Sequence, residues 1–278
     1  MCYRFELIEF DDGLFKEVDA TYILHLEGNG RLDHIYKQLD TYHPSNKVYI
    51  VYNKGYNKCP KKLHMQSVAY DIIDANMEVF KHAKQYNHIL VLEDDFLFSE
   101  KVSNHTRHVD TFLKRDTSFV YQLGSNPLIA LPIDMYHYRV FGVLAHANIY
   151  SSLSRKQLIN DYNNNKIKGD LGCIDSYISK VLPIYMYYKP LCYQTFPMTD
   201  NRKTWYKNRE NKLAPFAEII SDKLISWTNL DHEPEPGFSI MYFIAKSIPV
   251  LLLLLILWVI SHFSYLCKIK PKRMRSSI

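Results

Sequence analysis

Residues 88 to 98, His-Ile-Leu-Val-Leu-Glu-Asp-Asp-Phe-Leu-Phe, leave this chain few ways to fold. Four branched apolar residues, Ile89 to Leu92, run straight into three carboxylates, and an apolar triplet follows at once. A short continuous apolar run reads as a strand buried on both faces, in a mainly parallel sheet flanked by helices. Three acids at the C-terminal end of that strand cannot enter a core without counter-charge, and open α/β sheets bind ligands just outside that edge. Side chains alternate along an extended chain, so Glu93 and Asp95 share one side. One or two such carboxylates suffice to hold a Mn²⁺ or Mg²⁺ ion brought in on substrate phosphates. Acids ending a strand also serve as turn formers and caps, which is the competing reading of Asp95.

The rest of the chain supplies the partners such a strand needs. Residues 20 to 26 and 48 to 52 read as two more buried strands. Between them lie the turn Glu27-Gly-Asn-Gly30 and a helix from Arg31 to about Tyr42, completing a βαβ unit. Gly28-x-Gly30 lacks the third glycine of a dinucleotide fingerprint, so no Rossmann cofactor site is expected. Arg31, just after the turn, is placed to meet a diphosphate or to stand solvated in the first helical turn.

A helical pattern follows over 61–85, then, after the acidic strand, a short helix over 105–113. Strands are expected at 119–123, 128–133 and 138–145, with an antiparallel pairing of the last two. A helix over 154–163 with Ser154 as N-cap, a short helix after Asp175 and a strand at 184–188 complete the globule. The expected organisation is a globular domain over 1–230, an acidic, Pro-rich linker and membrane approach over 231–246, a transmembrane helix over 247–267 and a basic tail over 268–278.

That span is the second strong signal. Ser247 to Cys267 is 21 residues without a formal charge, with five consecutive leucines. About 20 residues of helix cross a bilayer. The chain's +5 charge comes largely from its end: six of its 34 basic residues lie from Lys246 onward, with no acid among them. The first 245 residues keep 28 basic against 29 acidic. Nucleic acid is therefore not an expected partner.

Two arguments about orientation conflict. Five basic residues after the span against Lys246 before it put the globule in the lumen by the positive-inside rule. Against this, residues 1–12 carry no signal-peptide core, and only 11 residues follow the span. Cys2, Cys59, Cys173, Cys192 and Cys267 are odd in number and scattered, which suits free thiols of a reducing compartment. The balance favours a single-pass C-terminal anchor with a cytosolic domain; a lumenal domain is the alternative, and Asn104-His-Thr106 is a formal glycosylation sequon.

Ala20 to Leu26, Ser67 and, above all, Ile89-Leu-Val-Leu-Glu-Asp-Asp-Phe-Leu-Phe98 resemble glycosyltransferase family 25 and its divergent relatives in large DNA viruses. The resemblance covers roughly residues 20 to 205. It implies a GT-A fold and transfer of galactose or glucose from a nucleotide sugar, UDP-linked by expectation, with inversion and often with Mn²⁺. The acceptor would be a hydroxyl of a glycan, protein or lipid. Residues 142–151 resemble the acceptor-side strand, Ile174-Asp-Ser-Tyr-Ile178 the segment that carries a basic carboxylate, and residues 190–205 the closing segment of the viral members. The family's Gly-Cys-x-x-Ser-His element survives only as Cys59 and Met65-Gln-Ser67, which leaves donor selectivity open.

On this reading Asp95 is a metal ligand and Glu93 sits near the ribose or on a metal-bound water. Asp94 completes the shell or turns to a backbone N–H. His146 is a candidate nitrogen ligand for Mn²⁺ or a core histidine. Asp175 is the candidate base, with Asp170 its rival and helix capping the alternative. Trp205 and Tyr193 offer faces for a base or sugar, or for the core. Two other functions use the same residues: a different metal-assisted phosphoryl-transfer enzyme, and a membrane-tethered, non-catalytic sugar- or nucleotide-binding module.

Overall fold

The structure is a computed structural model and describes residues 1–167, 174–195, 223 and 225–269. The three apolar runs form the heart of the sheet: β2 (Ala20–Leu26) lies between β3 (Lys47–Asn53) and β4 (His88–Glu93), parallel to both. Parallel strands need crossovers. Helix α1 (Leu32–Thr41) supplies the first and α2 (Val68–His82) the second. All three strands therefore end at one edge, at Leu26, Asn53 and Glu93.

Outside this centre the pairing turns antiparallel. β1 (Tyr3–Glu9) runs against β3, and on the far side β4 pairs with the end of β7 (His137–Ser151). β7 forms a long hairpin with β6 (Val120–Pro132), and β8 (Ile184–Tyr187) closes the sheet against both hairpin strands. The strand order is β1-β3-β2-β4-β7-β6-β8. A separate two-stranded ribbon pairs β5 (Leu97–Phe98), which follows the three acids, with β9 (Cys192–Tyr193). This is the GT-A-like mixed sheet expected, with a hydrophobic cluster on each face. Leu90 and Leu92 join the side of α1 and α3 (Thr106–Leu113). Ile89 and Val91 join the side of α2, α4 (Ser152–Asn163) and α5 (Ile174–Val181). Alternation on a strand buried on both faces divides the four residues in this way.

Several boundaries differ from the sequence reading, each for a local reason. Residues 120–132 are one strand, because register shifts around Gly124 and Asn126 absorb the turn expected at 124–127. The N-cap of α4 is Ser151: its Oγ accepts from Ser154 N, and Ser154 Oγ donates back to Ser151 O. α2 starts at Val68 because Ser67 caps it, accepting from Tyr70 N. The expectation of free thiols fails at two positions, since Cys2 and Cys59 form a disulfide that ties the start of β1 to the loop after β3. Cys192 is a buried free thiol, while Cys173 lies outside the described residues.

The last helix, α6 (Gly237–Ile269), begins inside the stretch expected to be linker. Phe238, Met241, Tyr242 and Ala245 are buried, the 3, 4, 7 spacing of a helix face packed on a core. They lie in the same cluster as Ala130 and Val140 of the hairpin. Tyr242 Oη lies 3.4 Å from Ser125 Oγ, and Lys246 Nζ donates to Tyr188 O at 3.0 Å. Beyond Lys246 the helix leaves the globule. An 18-residue stretch within Gly237–Tyr265 has a mean hydropathy of 2.6, and the helix is long and apolar enough to cross a membrane. Phe238→Ala should therefore cost about 3–5 kcal/mol of stability, read by urea unfolding of the full chain in detergent. A helix that only tethered the domain would lose almost nothing.

Candidate functional site

The three acids have separate fates, set by the direction each side chain takes at the end of β4. Asp94 turns towards the end of β2 and is buried there. Its Oδ2 accepts from His25 Nδ1 at 3.1 Å, Leu26 N at 3.3 Å and Asn29 Nδ2 at 2.5 Å, and its Oδ1 from Arg31 Nη1 at 2.8 Å. A carboxylate only accepts, so His25 carries its proton on Nδ1. Burial pushes the Asp94 carboxyl up, but hydrogen bonds from His25, Arg31 and Asn29 together outweigh it and hold the group below the ordinary carboxylate range. Asp94 is thus the member turned to a backbone N–H. The turn that delivers Asn29 and Arg31 depends on Gly28 and Gly30, at φ of +85° and +77°.

Glu93 and Asp95 have far less compensation. Burial pushes the Glu93 carboxyl well above its usual range, and the charges of Asp95, Asp175 and Asp94 push it further. Asp95 is also raised by burial, with Arg31 opposing. Arg31 Nη1 reaches Asp95 Oδ2 at 3.1 Å, while Asp95 Oδ1 is buried with no hydrogen-bond partner among the described residues. Asp175, in the first turn of α5, is close enough for its charge to act on Glu93 and on the Tyr150 hydroxyl. The edge therefore gathers Glu93 and Asp95, with Asp175 near Glu93, and among the described residues the guanidinium of Arg31 that serves them is already shared between Asp94 and Asp95.

His146 has a different role. By the two-residue period it shares the sheet face of Asn148, which is paired with Val91. Its Nε2 lies 3.3 Å from Cys192 O, and its ring meets Phe238 of α6 at 5.9 Å. Burial lowers its pKa to about 4, against the opposing pull of the Cys192 carbonyl, so the ring is neutral and Nε2 donates. A Cβ on Gly124 would overlap both that carbonyl and the His146 ring. Among the described residues no three His, Cys, Asp or Glu form a group able to hold a metal, so His146 is not joined to Glu93 and Asp95 in a ligand set. Tyr193, expected as a sugar platform or core residue, donates its hydroxyl to Glu235 at 2.9 Å and packs on Phe238. Asp170 and Trp205 lie outside the described residues.

His25 and Asn29 were not singled out in the sequence. Their only signals are a polar residue at the end of a buried strand and an Asn between two glycines. Asn148 and Gln194 were also missed. Each has a buried amide oxygen with no hydrogen-bond partner among the described residues, as has His146 Nδ1. Buried polar atoms of this kind call for a ligand or ordered water.

No family model matches the chain, and no curated protein matches it. Among solved structures, A197 from STIV is similar over 64% of this chain and 86% of its own, at 16% identity and a TM-score of 0.38. A glycosyltransferase involved in glycosylation of the major capsid of PBCV-1 is similar over 55% of this chain and 68% of its own, at 7% identity and a TM-score of 0.34. The chemistry below rests on the residues themselves.

Asp94→Ala should cost about 3 kcal/mol, because Arg31 and His25 keep their desolvation while losing their acceptor. The Asp94 contribution also has a pH signature. Its folded pKa is depressed, so the stabilisation is complete above the unfolded value of about 4 and is lost as pH falls through the folded value. Thermal unfolding across this acid range should show wild type and Asp94→Ala converging at the low end.

Proposed function

We infer that the protein is a metal-dependent glycosyltransferase that moves a hexose, galactose or glucose, from a UDP-sugar to a hydroxyl of a glycan, protein or lipid. The observation that carries this reading is the under-compensated pair Glu93 and Asp95, with Asp175 beside them, at the edge where three parallel strands end. A desolvated carboxylate set of this kind is completed by a cation. Glu93 and Asp95 fit an ion that arrives on phosphates and keeps most of its other ligands from substrate and water. When bound, Mn²⁺ or Mg²⁺ would supply counter-charge to the leaving diphosphate.

The chain's own residues do the rest. Arg31, fixed by Asp94 and Asp95, adds positive charge beside the diphosphate. Asp175 takes the proton of the acceptor hydroxyl as that oxygen bonds to the sugar C1. The bond from C1 to the diphosphate oxygen breaks, and its electron pair leaves with the diphosphate, so the configuration at C1 inverts.

α6 anchors this domain, and the disulfide bears on which side. The Cys2–Cys59 bridge removes the cysteine argument for the cytosol and adds one for an oxidising compartment. With the basic residues after the span, it favours a lumenal domain. Asn104 is exposed at the end of a 3₁₀ turn (Val102–Asn104), where an oligosaccharide transferase can reach it.

Calorimetry with UDP should show binding in Mn²⁺ and none in EDTA; equal affinity in both would remove the metal from Glu93 and Asp95. Asp95→Ala should abolish the metal-dependent binding. Asp175→Asn should keep it and lose at least about 100-fold in transfer rate. Transfer at the normal rate would move the base elsewhere. In sealed microsomes the domain should resist protease until detergent is added, and Asn104→Gln should remove a glycan's mass from the full-length chain. A digested, unmodified domain would return the protein to the cytosol.

A further inference from the structure

The helix α6 leaves the globule beside the tip of the β6–β7 hairpin. Lys246 Nζ donates to Tyr188 O at 3.0 Å and lies 5.8 Å from the ring centre of Tyr138, the second residue of β7. Tyr188 N in turn donates to Tyr136 O at 2.8 Å. Two hydrogen bonds thus connect the last docked turn of α6 to the turn at residues 133–136.

That turn is apolar where it faces water. Met135 is 83% exposed and Ile133 42%, and on the outward side of α6, just before Lys246, Phe243 is 69% exposed and Ile244 47%. The one acid at the tip, Asp134, is folded back. Its Oδ1 accepts from Tyr136 N at 2.8 Å, His137 N at 2.9 Å and His137 Nδ1 at 2.8 Å. These apolar side chains flank the start of the apolar helix, and the Asp134 carboxylate between them, 42% exposed, spends one oxygen on the three bonds within its own turn. Contiguous exposed apolar surface marks an interaction site. Here its neighbour is Lys246, within a helix long and apolar enough to cross a membrane.

We propose that the hairpin tip, through Ile133 and Met135, enters the headgroup–acyl boundary of the same bilayer that α6 crosses, as a second contact beside the anchor. Phe243 and Ile244 complete the collar, and Lys246 extends its stem along it with the ammonium at the polar rim. The tip stops the globule from swinging about α6. The proposal rests on α6 being the membrane anchor.

The test uses the full chain in phosphatidylcholine vesicles that carry a nitroxide on the lipid. An environment-sensitive fluorophore is attached at Met135→Cys and, as a water-facing control, at Asp12→Cys; labelling of the native thiols in the unsubstituted chain is subtracted. The Met135 label should show blue-shifted emission and lose most of its intensity to the nitroxide, while the Asp12 label does neither. If alkaline carbonate leaves the chain in the vesicles and the Met135 label behaves like the Asp12 label, the second contact is refuted and the anchor stands. If carbonate strips the chain off, the anchor fails and the second contact fails with it.

Discussion

The buried Asp94 carboxylate is the interaction on which the rest of the site depends. It gathers the end of β2, the glycine turn and the start of α1 onto the end of β4, taking donors from His25, Leu26, Asn29 and Arg31. Two parallel strands have no covalent reason to end at the same height, and this carboxylate supplies a physical one. Fixing Asp94 on one side of the chain also commits Glu93 and Asp95 to the other. The charge that one acid satisfies is the charge its two neighbours lack. Among the described residues Arg31 is shared between Asp94 and Asp95, which leaves Glu93 without a comparable partner.

The central sheet was legible in the sequence because its three strands are apolar on both faces and each is followed by turn residues or acids. The helix boundaries were less so. Ser151 and Ser154 are both good caps in the same line, and only the backbone path decides between them. The hairpin was read in pieces because Gly124 and Pro127 look like a turn, whereas the long strand tolerates them at register shifts. Within the site, Glu93 and Asp95 were visible through alternation. The role of Asp94 required its partners, which come from 63 to 69 residues away.

His146 shows the same limit from the other side. A histidine between two alanines on a strand near an acidic edge has the right type and place for a ligand. Its ring is instead enclosed by Phe238 and the Cys192 carbonyl, from segments 92 and 46 residues distant. The Cys2–Cys59 bridge was equally hidden. Only the antiparallel addition of β1 to β3 brings the chain's second residue to the loop that carries Cys59.

α6 runs as one helix from its docked turns into its apolar turns, and its one interior proline, Pro249, falls just past the docked part. Ten residues, Gly237 to Lys246, lie on the globule, and at 1.5 Å per residue they are a rod of about 15 Å. One end of that rod touches the His146 ring and the other starts the stretch that is long and apolar enough to cross a membrane. The protein therefore carries its own ruler. With α6 as an anchor, the height of the acidic edge above the membrane would be a count of residues rather than the average reach of a flexible tether. One residue added to the rod would lift the edge by about 1.5 Å and swing it by about 100° around the helix axis.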